Sequence, residues 1–164
     1  MNTGQFREND IVHQDAFYAV GLAYEGPMAD DGRIPRLWEE FLDRVPEIKR
    51  RTTKKELLGI AQCTEEQKKK GEMFYLAAAR VEQINYLPQG MTAKVVEGGG
   101  FLKALHKGPV SKIRETIGFF ADKLVPARGY SVDRRPLIEI YDERYKGEAQ
   151  DSVIEILIPL GEKT

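Results

Sequence analysis

The chain has 164 residues, 41% hydrophobic and 9% aromatic, enough to close an apolar core without metals or disulfides. Its 25 basic and 26 acidic side chains nearly cancel, which argues against the broad positive field of a generic nucleic-acid binder. No run approaches the length of a membrane span, and Cys63, the single cysteine, has no internal partner. Met1 to Asp10 is polar and carries no apolar run of the signal-peptide kind, so the expected location is cytoplasmic.

Taken in order, Ala16 to Tyr24 is apolar, aromatic and small, and reads as a strand ended by Gly26-Pro27. Asp30-Asp31-Gly32 is a capping signal for the next element. Apolar residues then recur at Ile34, Leu37, Trp38, Phe41, Leu42 and Val45, the stripe of an amphipathic helix. Pro35 is tolerated in its first turn and Pro46 marks its exit. Two strands are expected at Glu56 to Gln62 and Met73 to Val81, separated by the polar segment Thr64 to Gly71. The basic clusters Lys49-Arg50-Arg51 with Lys54-Lys55, and Lys68-Lys69-Lys70, read as solvated loops or helix ends.

The same order then recurs. Met91 to Val96 and Phe101 to His106 read as strand, broken at Gly98-Gly99-Gly100, where a bulge is expected. Gly108-Pro109 opens a helix with its stripe at Val110, Ile113, Ile117, Phe120 and Leu124, and Pro126 and Gly129 end it. Leu137 to Tyr141 and Ser152 to Pro159 are the closing strands. The two Gly-Pro pairs lie 82 residues apart, and Leu58-Gly59-Ile60 lies 80 residues before Ile138-Glu139-Ile140. Strand–helix–strand–strand is thus written twice, at about 11–83 and about 90–161, within one domain over 1–164. The expected fold class is α+β: two βαββ modules with pseudo-two-fold symmetry, a largely antiparallel sheet and a ligand cleft along the seam.

Glu139 stands alone in the apolar run Pro136 to Tyr141, where an ionised side chain is costly unless a cation or hydrogen-bond donor meets it. Period two puts Glu139 and Tyr141 on one strand face, with Ile138 and Ile140 on the other. If the halves correspond, Glu139 matches Gly59 and Tyr141 matches Ala61, so an acid and a phenol face a half with almost no side chain. From composition alone, the slightly favoured reading of Glu139 is an edge carboxylate facing water or paired with Arg134 or Arg135. Glu155 has the same local look and reads as an outward or edge residue.

The segments Leu105-His106-Lys107-Gly108-Pro109, Arg128-Gly129-Tyr130, Pro136-Leu137-Ile138-Glu139-Ile140-Tyr141 and Ile156-Leu157-Ile158-Pro159-Leu160, in this order, resemble the GyrI-like small-molecule-binding family. Val20-Gly21-Leu22 and Ile34 to Phe41 are similar to the effector-binding portion of AraC-type transcription regulators and of integron-associated drug-binding proteins. The resemblance covers nearly the whole chain. It implies a duplicated βαββ fold whose aromatic cleft holds a bulky hydrophobic small molecule, cations included, against an acid that corresponds to Glu139. The ligand-binding candidates are then Glu139, Tyr141, Trp38, Tyr24, Tyr75 and Phe119. The aromatics among them read as plain core packing too.

Some relatives of this kind hydrolyse cyclopropane-bearing DNA-alkylating compounds. That resemblance would make Glu139 a general base and Tyr141 a hydrogen-bond donor to the reacting carbonyl. Others are described as gyrase inhibitors, and the near-neutral charge gives gyrase, or a separate regulator, no particular support as a partner. No helix-turn-helix fits before Ile11, so no direct nucleic-acid contact is expected. His13, His106 and Cys63 are too scattered for a metal site, and neither metal nor cofactor is expected. His106 reads as a local cap or surface residue. A cation about 4 Å from Glu139 would gain on the order of 4 kcal/mol before desolvation. Micromolar affinity needs about 8 kcal/mol, so aromatic faces adding roughly 0.5–2 kcal/mol each bring such a site within reach.

Overall fold

Alternating burial along the strands sorts their side chains onto two faces of one antiparallel sheet. The computed structural model describes residues 10–28 and 31–162; Asp30, one of the expected capping residues, and Met1 to residue 9 lie outside these. The strands are β1 (Ile11–Gln14), β2 (Phe17–Pro27), β3 (Leu57–Gln62), β4 (Glu72–Val81), β5 (Thr92–Val96), β6 (Gly99–Lys107), β7 (Leu137–Tyr141) and β8 (Val153–Pro159). They form a single sheet in the order β1-β6-β8-β7-β3-β4-β2-β5. The α+β class and antiparallel sheet expected from the sequence are therefore present.

One face carries Leu58, Ile60, Leu76, Ala78, Ile138 and Ile140, joined by Phe17, Val96 and Phe101 from strands near the two ends of the sheet. Val12 of the opposite edge strand packs against the same cluster. Residues from both ends meet there only if the sheet curls around them. The other face is covered by helices. Helix α1 (Arg33–Arg44) lays Ile34, Leu37, Trp38 and Phe41 on β2 and β4. Leu42, expected on that stripe, is instead 55% exposed, because Phe41 occupies the sheet-facing direction one residue earlier.

The second helix is expected to run unbroken from Val110 to Leu124, and it does not. A 3-10 turn (Val110–Lys112) leads into α3 (Ile113–Gly118), a π turn (Phe119–Leu124) and α4 (Val125–Ala127). Pro126 sits inside this last turn and has no N–H for the carbonyl four residues back, a conflict that a widened turn accommodates. The extra residue leaves Phe120 and Val125 buried against the sheet and Phe119 exposed.

Two further differences have local causes. The polar segment after β3 contains a short helix, α2 (Glu65–Lys70), fixed by a capping box. The Gln67 N–H donates to the Thr64 hydroxyl at 3.1 Å, and the Thr64 N–H donates back to the Gln67 side chain at 3.0 Å. The triple glycine is a crossing point rather than a bulge. β1 precedes β2 yet pairs with β6, while β5 precedes β6 yet pairs with β2. The two connections pass so closely that a Cβ on Gly98 would stand 2.6 Å from the Gln14 carbonyl oxygen and the Ala16 nitrogen.

Between the helix-covered areas runs the β3–β7 seam, with Leu57 opposite Tyr141, Gly59 opposite Glu139 and Ala61 opposite Leu137. Leu57 and Ala61 pack with the α1 side and Leu137 and Tyr141 with the α3 side. The acid thus lies where the two helical regions meet.

Candidate functional site

Glu139 is 6% exposed, on a strand with neighbours on both sides. Neither arginine considered from the sequence reaches it. Arg135 is held by Asp133 and by the Gly100 and Leu160 carbonyls, and Arg134 pairs with Glu97. Two phenols do. The Tyr75 hydroxyl donates to Oε1 at 2.8 Å, and the Tyr141 hydroxyl donates to the same oxygen at 2.7 Å. Tyr75 in turn accepts from the indole N–H of Trp38 at 2.9 Å, so one chain of donors runs Trp38, Tyr75, Glu139. The Trp38 ring meets Tyr141 edge-on at 5.0 Å, and Tyr141 meets Tyr145 in the same way at 5.0 Å.

Gly59 makes this convergence possible. A Cβ at Gly59 would fall on the Tyr75 hydroxyl and on Oε1 of Glu139. The room left by the missing side chain is therefore filled by the acid and phenol themselves. Oε2 accepts no hydrogen bond among the described residues and is not among their sealed, unpartnered polar atoms.

Burial pushes the Glu139 carboxyl above its ordinary value of 4.5, while hydrogen bonds from Tyr141 and Tyr75, and the fields of Arg114 and His106, pull downward without cancelling it. Burial, reinforced by the charge of Glu139, holds both phenols well above 10.0, so they stay protonated and serve as donors. Among the described residues no cation forms an ion pair with this carboxylate. A buried acid satisfied by phenols and left without a counter-charge is suited to receiving one.

Of the other expected site residues, Tyr24 lies opposite Tyr75 in the β2–β4 register but is engaged elsewhere. Its hydroxyl donates to the Pro27 carbonyl at 2.6 Å and accepts from Arg33 at 3.3 Å. Phe119 stands exposed with its ring against Phe120, outside the network. His106 is buried, not at the surface. It contacts the Pro109 carbonyl through Nε2 at 2.7 Å and the Thr116 hydroxyl through Nδ1 at 2.6 Å, a local tie at the helix start. A carbonyl only accepts, so Nε2 carries the proton. Glu155 is not on an edge: β8 is interior, and the side chain is held by Lys103 and Arg144.

Tyr145 joins the site through its ring contact with Tyr141, and it sits in the turn after β7, where no strand pattern points to it. Next to the network, a groove of about 800 Å³ runs between the end of α1 and the start of β3, lined by Leu42, Val45, Leu57 and Tyr141 with Arg51 and Lys54 among its polar walls. Tyr141 is the wall that groove and carboxylate share. Among the described residues no group of three His, Cys, Asp or Glu side chains is placed to hold a metal, and no helix is long and apolar enough to cross a membrane.

Several solved structures share this fold. SAV2435 bound to tetraphenylphosphonium superposes with a TM-score of 0.74 at 13% identity, over 96% of this chain and 94% of that one. The C-terminal domain of EcmrR gives 0.71 at 17% identity, over 94% and 96%. A hydrolase from Listeria innocua gives 0.55 at 12% identity, over 92% and 90%. At these identities the likeness is one of fold. No curated protein matches the sequence. Residues 7–160 match the family described as GyrI-like small molecule binding domain, and this chain belongs to that family.

Proposed function

We propose that the protein binds a hydrophobic small molecule, with lipophilic cations as its preferred class, and that Glu139 is the counter-charge. The observation that carries this reading is the buried carboxylate whose two protein partners are neutral phenols on one oxygen. A ligand cation supplies the charge the fold withholds, and Trp38, Tyr141 and Tyr75 offer aromatic faces around it. The groove beside Tyr141 gives the bulk of such a ligand a place, and Tyr141 is the wall that it shares with the carboxylate. Tyr24 and Phe119 have no part in this proposal, since one is engaged with the β2–α1 connection and the other is exposed.

The same reading treats the two halves as copies related by a pseudo-two-fold axis through the seam. The β3–β7 register supports it: Leu57 and Leu137, and Ala61 and Tyr141, are each 80 residues apart, so the pairing maps onto itself with Gly59 and Glu139 exchanged. The halves diverge where the acid sits, which is how a symmetric scaffold acquires one charged site.

Trp38 is the only tryptophan, and tetraphenylphosphonium is the cation named for a protein of the same fold. Titrating it into this protein is expected to change Trp38 fluorescence saturably, with a micromolar midpoint. A linear response up to the solubility limit contradicts the proposal.

Hydrolysis is the second reading, favoured by the raised pKa of Glu139, which suits a general base. Against it, both phenols already donate to Glu139, so neither is free to polarise a substrate carbonyl. Turnover of an activated cyclopropane that disappears in Glu139→Gln while binding persists would reverse this order.

A further inference from the structure

The groove that borders Tyr141 has basic walls as well as apolar ones: Arg51, Lys54 and Lys55 all line it. The sequence reads the cluster Lys49-Arg50-Arg51 as solvated, and Lys49 and Arg50 are exposed, but Arg51 is half-buried. Its backbone is fastened to the end of β4. Arg51 bridges Val81, the Thr52 N–H donates to the Arg80 carbonyl at 2.9 Å, and the Glu82 N–H donates to the Arg50 carbonyl at 2.9 Å. The Arg51 guanidinium donates through Nη2 to the Glu56 carbonyl at 3.2 Å, and its Nε is sealed from water without a partner. Three acids share the groove walls. Glu56 faces Arg80 at 3.9 Å, and Asp142 is held by Arg144 at 2.7 Å. Among the described residues no carboxylate pairs with Arg51, Lys54 or Lys55, and Glu143 is exposed and pairs with no cation. Burial lowers the Arg51 pKa from its ordinary value, the effect expected of a cation taken from water without a counter-charge.

We propose that the basic wall of this groove is an anion subsite, in which Arg51 anchors the carboxylate or sulfonate of a hydrophobic ligand and Lys54 and Lys55 support it. A guanidinium offers several N–H groups in a planar fork, and the Glu56 carbonyl engages only one arm of it. Its position is fixed by the fold and part of its hydration is already lost, so an arriving anion meets a preorganised donor. Lys54 and Lys55 are exposed, and water screens their contribution. Glu143 opposes them but is one acid against three cations. Joined to the proposed counter-charge role of Glu139, the subsite favours amphoteric ligands: a cationic centre toward Glu139, an anionic group toward Arg51, and an apolar body along Leu42, Val45 and Leu57. That pairing rests on the reading of Glu139, whereas the anion subsite stands on the groove alone.

The test compares, by calorimetry, (4-carboxybutyl)triphenylphosphonium, which joins a phosphonium to a carboxylate, with its methyl ester, which keeps only the cation. Wild type is expected to bind the acid more tightly than the ester. Arg51→Gln is expected to weaken the acid about tenfold and to leave the ester within about twofold. Arg51→Lys keeps the charge but not the fork and is expected to lose less. Replacing Lys54 and Lys55 together by glutamine is expected to weaken the acid by up to about fivefold. Equal losses for acid and ester in Arg51→Gln overturn the proposal, as does a wild type that binds the acid no more tightly than the ester. A third probe, 8-anilinonaphthalene-1-sulfonate, is a hydrophobic anion with no cation for Glu139, and its binding is expected to weaken in Arg51→Gln. If neither phosphonium compound binds but the sulfonate binds with this dependence on Arg51, the counter-charge reading of Glu139 falls and the anion subsite stands. A sulfonate that fails to bind wild type, or binds Arg51→Gln equally well, overturns the subsite.

Discussion

Gly59 and Glu139 face each other across the β3–β7 seam, and the absent side chain of one is the space in which the other keeps its carboxylate. The acid on β7, the phenol on β4 and the indole on α1 converge only because β3 contributes nothing at that point. A residue with no functional group thereby controls the geometry of three that have one.

Substituting Gly59 by alanine tests this directly. The added methyl overlaps the Tyr75 hydroxyl and Oε1 of Glu139, so one of them must leave the network. The expected cost is about 1–3 kcal/mol of stability, measured by urea denaturation, together with a changed Trp38 emission maximum. A Gly59→Ala protein with wild-type stability and spectrum would contradict the packing described.

The pH dependence of stability has a defined sign. The folded protein holds the Glu139 proton more tightly than the unfolded chain does, because burial raises its pKa. The stability this contributes is fully present below about 4.5 and is lost as pH rises through the folded value. Carboxylates such as Asp142, held low by Arg144, act in the opposite sense, so the wild-type profile alone mixes the two. The difference between Glu139→Gln and wild type isolates the effect. Denaturation at several pH values is expected to show the variant gaining relative stability as pH rises from about 4.5 through the raised folded value. A flat or falling difference would mean the carboxylate is well compensated where it lies.

Coupling between Tyr75 and Glu139 is measurable as a double-mutant cycle. Tyr75→Phe keeps the ring, removes a donor to a charged acceptor and strands the Trp38 N–H. Hydrogen bonds to charged groups contribute about 1.5–3 kcal/mol, so the loss should be larger in wild type than in a Glu139→Gln background. Equal losses in both backgrounds would show that the phenol serves packing alone.

Much of this was readable in the sequence, for physical reasons. Strands and the first helix announce themselves through periods of two and 3.6. Glu139 stands out because a lone charge in an apolar strand requires an explanation. Spacing between similar segments draws attention to Gly59 together with Glu139, and these two residues are direct neighbours across the seam. Pairing partners were less accessible, since nothing local tells β1 to leave β2 for β6. The α2 helix carries its own signal in the sequence, because Thr64-Glu65-Glu66-Gln67 is a capping box. The π turn depends on how Pro126 and the apolar stripe compete for the sheet, which periodicity does not resolve. Tyr145 reaches the site from a turn, so only tertiary geometry places it there.

The most direct test of the counter-charge role is a calorimetric comparison of tetraphenylphosphonium with triphenylphosphine oxide in wild type and Glu139→Gln. Glutamine keeps an acceptor for both phenols and removes only the charge. Cation affinity is expected to fall at least about tenfold, equivalent to about 1.4 kcal/mol, while affinity for the oxide changes by less than about twofold. Equal losses for both ligands, or an undiminished affinity for the cation, would contradict the assignment of Glu139 as the counter-charge.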